Sequence, residues 1–195
     1  VLNVSNSGQR DETAVPAIRW VGTHASNVAN ILKGDVGVAI EDGEAATIAT
    51  LRVGYLDNQA GDARVLCGTS TTLTTITQSG GTLQIDSAAT TTNLIGGELT
   101  VLSGAQTTIE IDAGTVLYRG TGTITTARVG SDGVLDFRRD SQARTVTNCE
   151  LHERGAIHDP FKTVTWTNGI DVTRSDLASV TLDLGTHMTI TPSAI

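Results

Sequence analysis

The chain has 195 residues and a formal net charge of −8, with only 3% aromatic and 17% charged side chains. This length allows one elongated domain or a repeat array with a cap, and the acidic balance excludes a nonspecific nucleic-acid binder, which needs a cationic surface. So few aromatics exclude the thick core of an ordinary globular domain and point to a thin one, in which each layer encloses few side chains.

Residues 1–44 stand outside the pattern of the rest. Val1–Val4 reads as a strand and Ser5–Thr13 as a polar turn region. VLNVSNSGQRDE has no basic n-region and no apolar h-region, so no signal peptide is expected. No apolar run approaches the ~18 residues of a membrane span, so no membrane contact is expected. AIRWVG (17–22) alternates Ile18 and Trp20 after Pro16 and reads as a strand. THASNVANILKG (23–34) fits either a short helix capped by Thr23 or Ser26, or a strand. DVGVAIEDGE (35–44) alternates Val36, Val38 and Ile40 and stops at Gly43. Solenoid ends expose apolar columns and unpaired edges. The segment is therefore expected to cap the array, to dock it on a partner, or both. The contact residues would be Trp20, Arg19, Val36, Val38 and Ile40, with Trp20 as a buried anchor.

From residue 45 the chain repeats itself. ATLRVG (49–54) and ARVLCG (63–68) form a first rung around the loop YLDNQAGD. One phrase then recurs as GGTLQI, GGELTV, AGTVLY, DGVLDF and RGAIHD. Its glycines, Gly81, Gly97, Gly114, Gly133 and Gly155, are 16, 17, 19 and 22 residues apart. A period near 20 signals a solenoid. Two places after each glycine stand Leu83, Leu99, Val116, Leu135 and Ile157. Four places after stand Ile85, Val101, Tyr118, Phe137 and, against the rule, Asp159. Apolar residues at period two mark half-buried strands, and the glycine supplies a turn that residues with a Cβ resist. A threonine-led strand precedes each phrase: TTLTTI, TTTNLI, TTIEI, TTARV and TVTNCEL. TVTWTNGIDVT (163–173) and LASVTLDLGTHMTITP (177–192) alternate in the same way and fit the last rungs.

These elements predict an all-β chain, a parallel β-solenoid. Each rung has at least two strands and a third short face. Steps that vary from 16 to 22 residues favour the right-handed kind over the left-handed hexapeptide kind. The predicted layout is an N-terminal capping or docking segment over 1–44 and about seven rungs over 45–195.

Cys67 and Cys149 would lie about four rungs, or ~19 Å, apart, too far for a disulfide. Both read as small buried apolar residues, compatible with a reducing cytoplasm. Arg119, Arg128, Arg138, Arg139, Arg144 and Arg154 make the repeats locally basic. They read as a solvated face balanced by neighbouring carboxylates, or as a contact surface for an acidic partner.

The chemistry is thin. Glu150, His152, Glu153, His158 and Asp159 could gather at a divalent metal, but two histidines six apart across a glycine corner match no standard ligand spacing. A polar rung is the simpler reading, and no metal is expected. Stacking would place Asp136 and His158 on adjacent rungs, about 5 Å apart. With Arg138, Arg139 and Asp140 nearby, this pair is an acid–base candidate of the kind glycan-cleaving β-helices use. Outward positions of a soluble solenoid are polar in any case, and the exposed aromatics of a glycan cleft are missing from the pattern. No phosphate loop, CxxC pair or nucleophile elbow occurs. No cofactor and no catalytic residue is expected.

VGVAIEDGEAATIATLRVGY, LTTITQSGGTLQID, GVLDF, TVTWTNGIDVT and LDLGTHMTITP together resemble the small Thr/Gly/Ala-rich β-solenoid structural proteins of phage virions. The resemblance covers most of the chain and rests on solenoid motifs. It implies a structural protein, not an enzyme: a capsid decoration (cement) protein or another outer virion component. Such a protein assembles into the virion in the host cytoplasm and docks on the major capsid protein or other virion proteins. Self-association in a trimer is expected as well, since lateral packing of rods would hide their exposed columns. The alternatives are a carbohydrate-active β-helix of tailspike type and a non-catalytic receptor-binding rod.

Overall fold

The computed structural model describes residues 1–5, 16, 18–54, 63–130, 132–173 and 180–185. Among these residues there is no helix. Every strand pairs in parallel, and the strands stack as a β-solenoid. The first sheet takes β1 (Leu2–Ser5), the front of β3 (Val28–Val38), β4 (Ala46–Val53), β6 (Thr71–Gln78), β8 (Ala89–Leu94), β10 (Gln106–Ile111), β12 (Ile124–Val129) and β14 (Arg144–Leu151). It closes with β16 (Val164–Trp166) and β17 (Ile170–Val172), both against β14. The second sheet takes β2 (Ile18–Trp20), the rear of β3, β5 (Ala63–Cys67), β7 (Thr82–Asp86), β9 (Glu98–Ser103), β11 (Gly114–Tyr118), β13 (Gly133–Asp136), β15 (Ala156–His158) and β18 (Thr181–Asp183).

The apolar columns run as the phrases predict. Leu83, Leu99, Val116, Leu135 and Ile157 are partners in register and at most 1% exposed. Ile85, Val101 and Tyr118 stack beside them, followed by Phe137, whose amide donates to the His158 carbonyl at 2.9 Å. Each such aliphatic side chain contributes about 1.5–3 kcal/mol by leaving water. Near the C-terminal end aromatics take over. Tyr118 and Phe137, then Phe137 and Trp166, pack edge to face at centroid distances of 5.9 and 6.0 Å.

The threonine-led strands have a role that periodicity alone does not reveal. Their burial does not alternate throughout: in β6, β8, β10 and β12 two successive residues point outward between buried ones. These are Thr74–Thr75, Thr90–Thr91, Thr107–Thr108 and Thr125–Thr126. Ala49–Thr50 and Thr147–Asn148 continue the line at either end. At each of these places the pairing skips the first residue of the two (Ala49, Thr74, Thr90, Thr107, Thr125, Thr147) and resumes at the second, so the strand bends there and keeps its register with its neighbours. Thr50, Thr75, Thr91, Thr108 and Thr126 pair in register down this line. A β-branched residue with a small polar tip suits an exposed strand position.

The corner glycines divide into two kinds. Gly97 and Gly114 have φ of +90° and +92°, and a Cβ would stand 2.5 Å from the Gly81 oxygen and 2.4 Å from the Gly97 oxygen. Gly133 and Gly155 have no left-handed φ. There Asp132 (φ 81°) and Arg154 (φ 62°) carry the turn, and the glycine is required because the preceding rung lies 2.3 and 2.8 Å from a would-be Cβ. Between the first two corners the buried Gln78 amide donates to the carbonyls of Gly81 and Glu98, each at 3.0 Å.

Among the described residues the strands from β4 onward stack in about seven turns. The strands before residue 45 add to it: β1, β2 and β3 pair in parallel with the same two sheets. THASNVANILKG is thus largely strand, and β3 passes from one sheet to the other around Gly34 at φ +98°. Met188 and Ile190, read as part of a last rung, lie outside the described residues, as does the loop 55–62. Cys67 and Cys149 are buried free thiols in different sheets, five turns apart. Burial pushes both pKa values up to about 12.

Candidate functional site

The outward column of the second sheet is the place where the fold assembles ionisable groups. The rung register sets Asp136 opposite His158 and His158 opposite Asp183. An acid–imidazole–acid series results at rung spacing, about 4.8 Å per step. The adjacency of Asp136 and His158 follows from the phrase alignment. Asp183 joins them because β18 lies directly on β15.

Asp136 is not a free carboxylate. It is 4% exposed, and Arg138 grips it. The Arg138 Nε donates to both carboxylate oxygens at 3.1 Å, a terminal guanidinium nitrogen to Oδ2 at 2.7 Å, and the Arg138 backbone amide to Oδ1 at 2.8 Å. Burial by itself would raise the Asp136 pKa. The hydrogen bonds and charge of Arg138, helped by His158, outweigh it and hold the carboxyl below its ordinary value. A carboxylate kept ionised by a forked cation is a poor proton donor. His158 is partly buried, its Nδ1 has no hydrogen-bond partner among the described residues, and that nitrogen lies 4.0 Å from an Asp183 oxygen.

The polar stretch 150–159 is dispersed by the fold. Glu150 faces outward on β14, where Arg128 bridges it at 3.0 Å and Glu110 at 2.7 Å. His152 stands 3.6 Å from Glu150, while His158 belongs to the other sheet. Asp159 points into the core position where the phrase calls for an apolar residue. It is 2% exposed and accepts from the Thr163 amide and hydroxyl, each at 2.9 Å, and from the Val164 amide at 3.0 Å. It is a buried cap on the corner into β16. Among the described residues no three metal-ligating side chains converge.

The five proposed docking residues do not share a surface. Val36 and Val38 are 0% and 1% exposed and belong to the inward columns of the second sheet, so no partner can touch them. The two valines do alternate along the strand, but alternation by itself does not say which set faces out. Trp20 and Ile40 are partly buried, with Trp20 packed on the end of the core. Arg19 is exposed and pairs with Glu41 at 2.8 Å and with Glu44.

The arginines also separate. Arg128 pairs with Glu110 and Glu150, Arg138 with Asp136, and Arg154 with Asp132 at 3.1 Å. Arg144 is no surface residue: its side chain is 0% exposed. It donates to the Tyr118 carbonyl at 2.9 Å and lies 5.6 Å from the centroid of the Phe137 ring. Burial pulls its pKa down from the ordinary value, opposed by the carboxylates of Asp140 and Asp159. Arg119 and Arg139 are exposed and lack an ion-pair partner among the described residues.

Comparison with protein families, with curated proteins and with solved structures finds no match to this chain. Among the described residues no helix is long and apolar enough to cross a membrane.

Proposed function

We propose that this chain is a structural protein of a phage virion, a rod that decorates or stabilises the capsid or another outer virion part by protein–protein docking. One observation carries the reading. The inward columns repeat one chemistry rung after rung, whereas the outward column Leu66, Gln84, Thr100, Leu117, Asp136, His158, Asp183 repeats none. Selection for a stiff scaffold accounts for the first and needs nothing of the second. The resemblance of the repeat motifs to virion β-solenoids points the same way. The grip of Arg138 on Asp136 weighs against an acid–base role for the best-placed carboxylate.

The test is made on the purified particle. This chain should copurify in stoichiometric amount with the major capsid protein, and particles lacking it should disrupt at lower temperature. A purified particle without the chain overturns the reading.

His158 between two carboxylates favours one other function, a carbohydrate-active β-helix. In that case the wild-type protein cleaves a host surface polysaccharide and Asp136→Asn abolishes the cleavage. A wild-type protein inert on such substrates removes this alternative.

A further inference from the structure

The corner that leads from the second sheet back to the first recurs once per turn, so its residues form a ridge along the rod. The charge on this ridge is polarised. Its N-terminal part, between β3 and β4, exposes Glu41 and Asp42; Arg19 pairs with Glu41 at 2.8 Å and with Glu44, so the three carboxylates outnumber the one cation there and Asp42 has no ion-pair partner among the described residues. Its C-terminal part exposes Arg119 after β11, Arg139 after β13 and Lys162 after β15. Those three cations have no ion-pair partner among the described residues, although the chain as a whole carries −8. The corners between the two ends are short and hold Thr69 and Ser70, then Ala88, then Ala105, with the carboxylate of Asp86 at the end of β7 beside them.

We propose that this ridge is a self-association surface on which a second copy of the chain packs antiparallel. A two-fold contact requires a self-complementary patch, and the register of this one can be worked out. The corner of Arg139 lies five rungs beyond the corner of Glu41 and Asp42, about 24 Å. A two-fold axis halfway between them falls between the corners of Ala88 and Ala105. Arg139 of each copy then meets Glu41 and Asp42 of the other. Arg119 and Lys162 lie one rung to either side, about 4.8 Å away, well inside the ~8 Å screening length of physiological salt.

The same register makes a second match that charge did not choose. Phe161, 59% exposed, is one rung beyond Arg139. Val21, 55% exposed, is one rung before Glu41. The axis that pairs the charges sets these two exposed apolar side chains opposite each other. The small residues at the waist let the rods approach closely. The arrangement is two-fold, in place of the trimer that the sequence suggests.

The experiment uses the isolated chain, so it does not depend on the virion reading. Sedimentation at low salt should give the mass of two chains, and about 0.5 M NaCl should return it to one. The triple substitution Arg119→Glu, Arg139→Glu, Lys162→Glu should weaken association at least about tenfold, and so should Glu41→Lys with Asp42→Lys. An equimolar mixture of the two variants should associate again, because each supplies the end the other lacks. As a check that survives a poorly folding charge variant, Ala88→Cys mixed with Ala105→Cys should form an intermolecular disulfide at low salt, the native thiols being buried. A wild-type monomer at low salt, a dimer that neither charge variant weakens, a mixture of folded variants that stays monomeric, or no cross-link would each overturn the proposal.

Discussion

At the scale of the residue, close approach between rungs sets the sharpest demands. Gly114 has φ of +92° and a neighbouring carbonyl oxygen 2.4 Å from where a Cβ would stand. Gly43 has φ of +83° and nothing within 4 Å. Gly43→Ala should therefore lose only the conformational term, about 1–2 kcal/mol. Gly114→Ala should lose distinctly more, since backbone must move as well. Urea unfolding of the two variants measures the difference. Asp136 makes a second prediction. Its pKa is lowered in the folded chain, so the group adds stability above its unfolded value of about 3.9, and this is lost as pH falls through the folded value. Wild-type stability should thus drop below about pH 4 more steeply than that of Asp136→Asn, a contrast read from unfolding midpoints along a pH series.

At the scale of the element, corners are held by buried polar groups as much as by turns. Asp159 supplies acceptors to two backbone amides and one hydroxyl in the corner before β16. Asp159→Ala leaves those donors unsatisfied, which costs about 1–3 kcal/mol for a buried group. The loss should appear first as faster amide exchange in β16 and β18, before global stability changes. Substitution by leucine, which restores the apolar column of Ile85, Val101, Tyr118 and Phe137, should not rescue it, because the column is interrupted here to feed the next turn. The bends of the first sheet follow the same logic. Two outward residues in succession let a strand bend by skipping one pairing and resuming in register at the next residue, and threonine pairs occupy four of those bends.

At the scale of the whole molecule, each rung touches only its neighbours, so the rod behaves as a one-dimensional array. Interior rungs have partners on both sides, whereas β1 and β2 at one end and β16, β17 and β18 at the other have described partners on one side only. Native-state amide exchange should therefore be slowest in β6 to β12 and rise toward both ends. A uniform protection profile would contradict an array of nearest-neighbour rungs. The polarised corner ridge belongs to this scale too, since it joins residues about a hundred positions apart that only stacking aligns.

The sequence by itself determined the architecture. Its period-two apolar columns, returning with a glycine about every 16 to 22 residues, bury enough surface only if rungs stack in parallel, and Leu83 to Ile157 stack that way. Alternation cannot show which of two alternating sets faces inward where no repeat anchors the phase, and Val36 and Val38, expected at the contact surface, lie in the core. Nor can it show that Asp159 turns inward to hold a corner, that Arg144 is buried, or that β1, β2 and β3 extend the same sheets. Those outcomes depend on which rung lies on which. Hydrogen bonding between rungs fixes that register over corners of unequal length, so the tertiary structure alone decided the partners of Asp136, the interior place of Asp159 and the alignment of charge along the ridge.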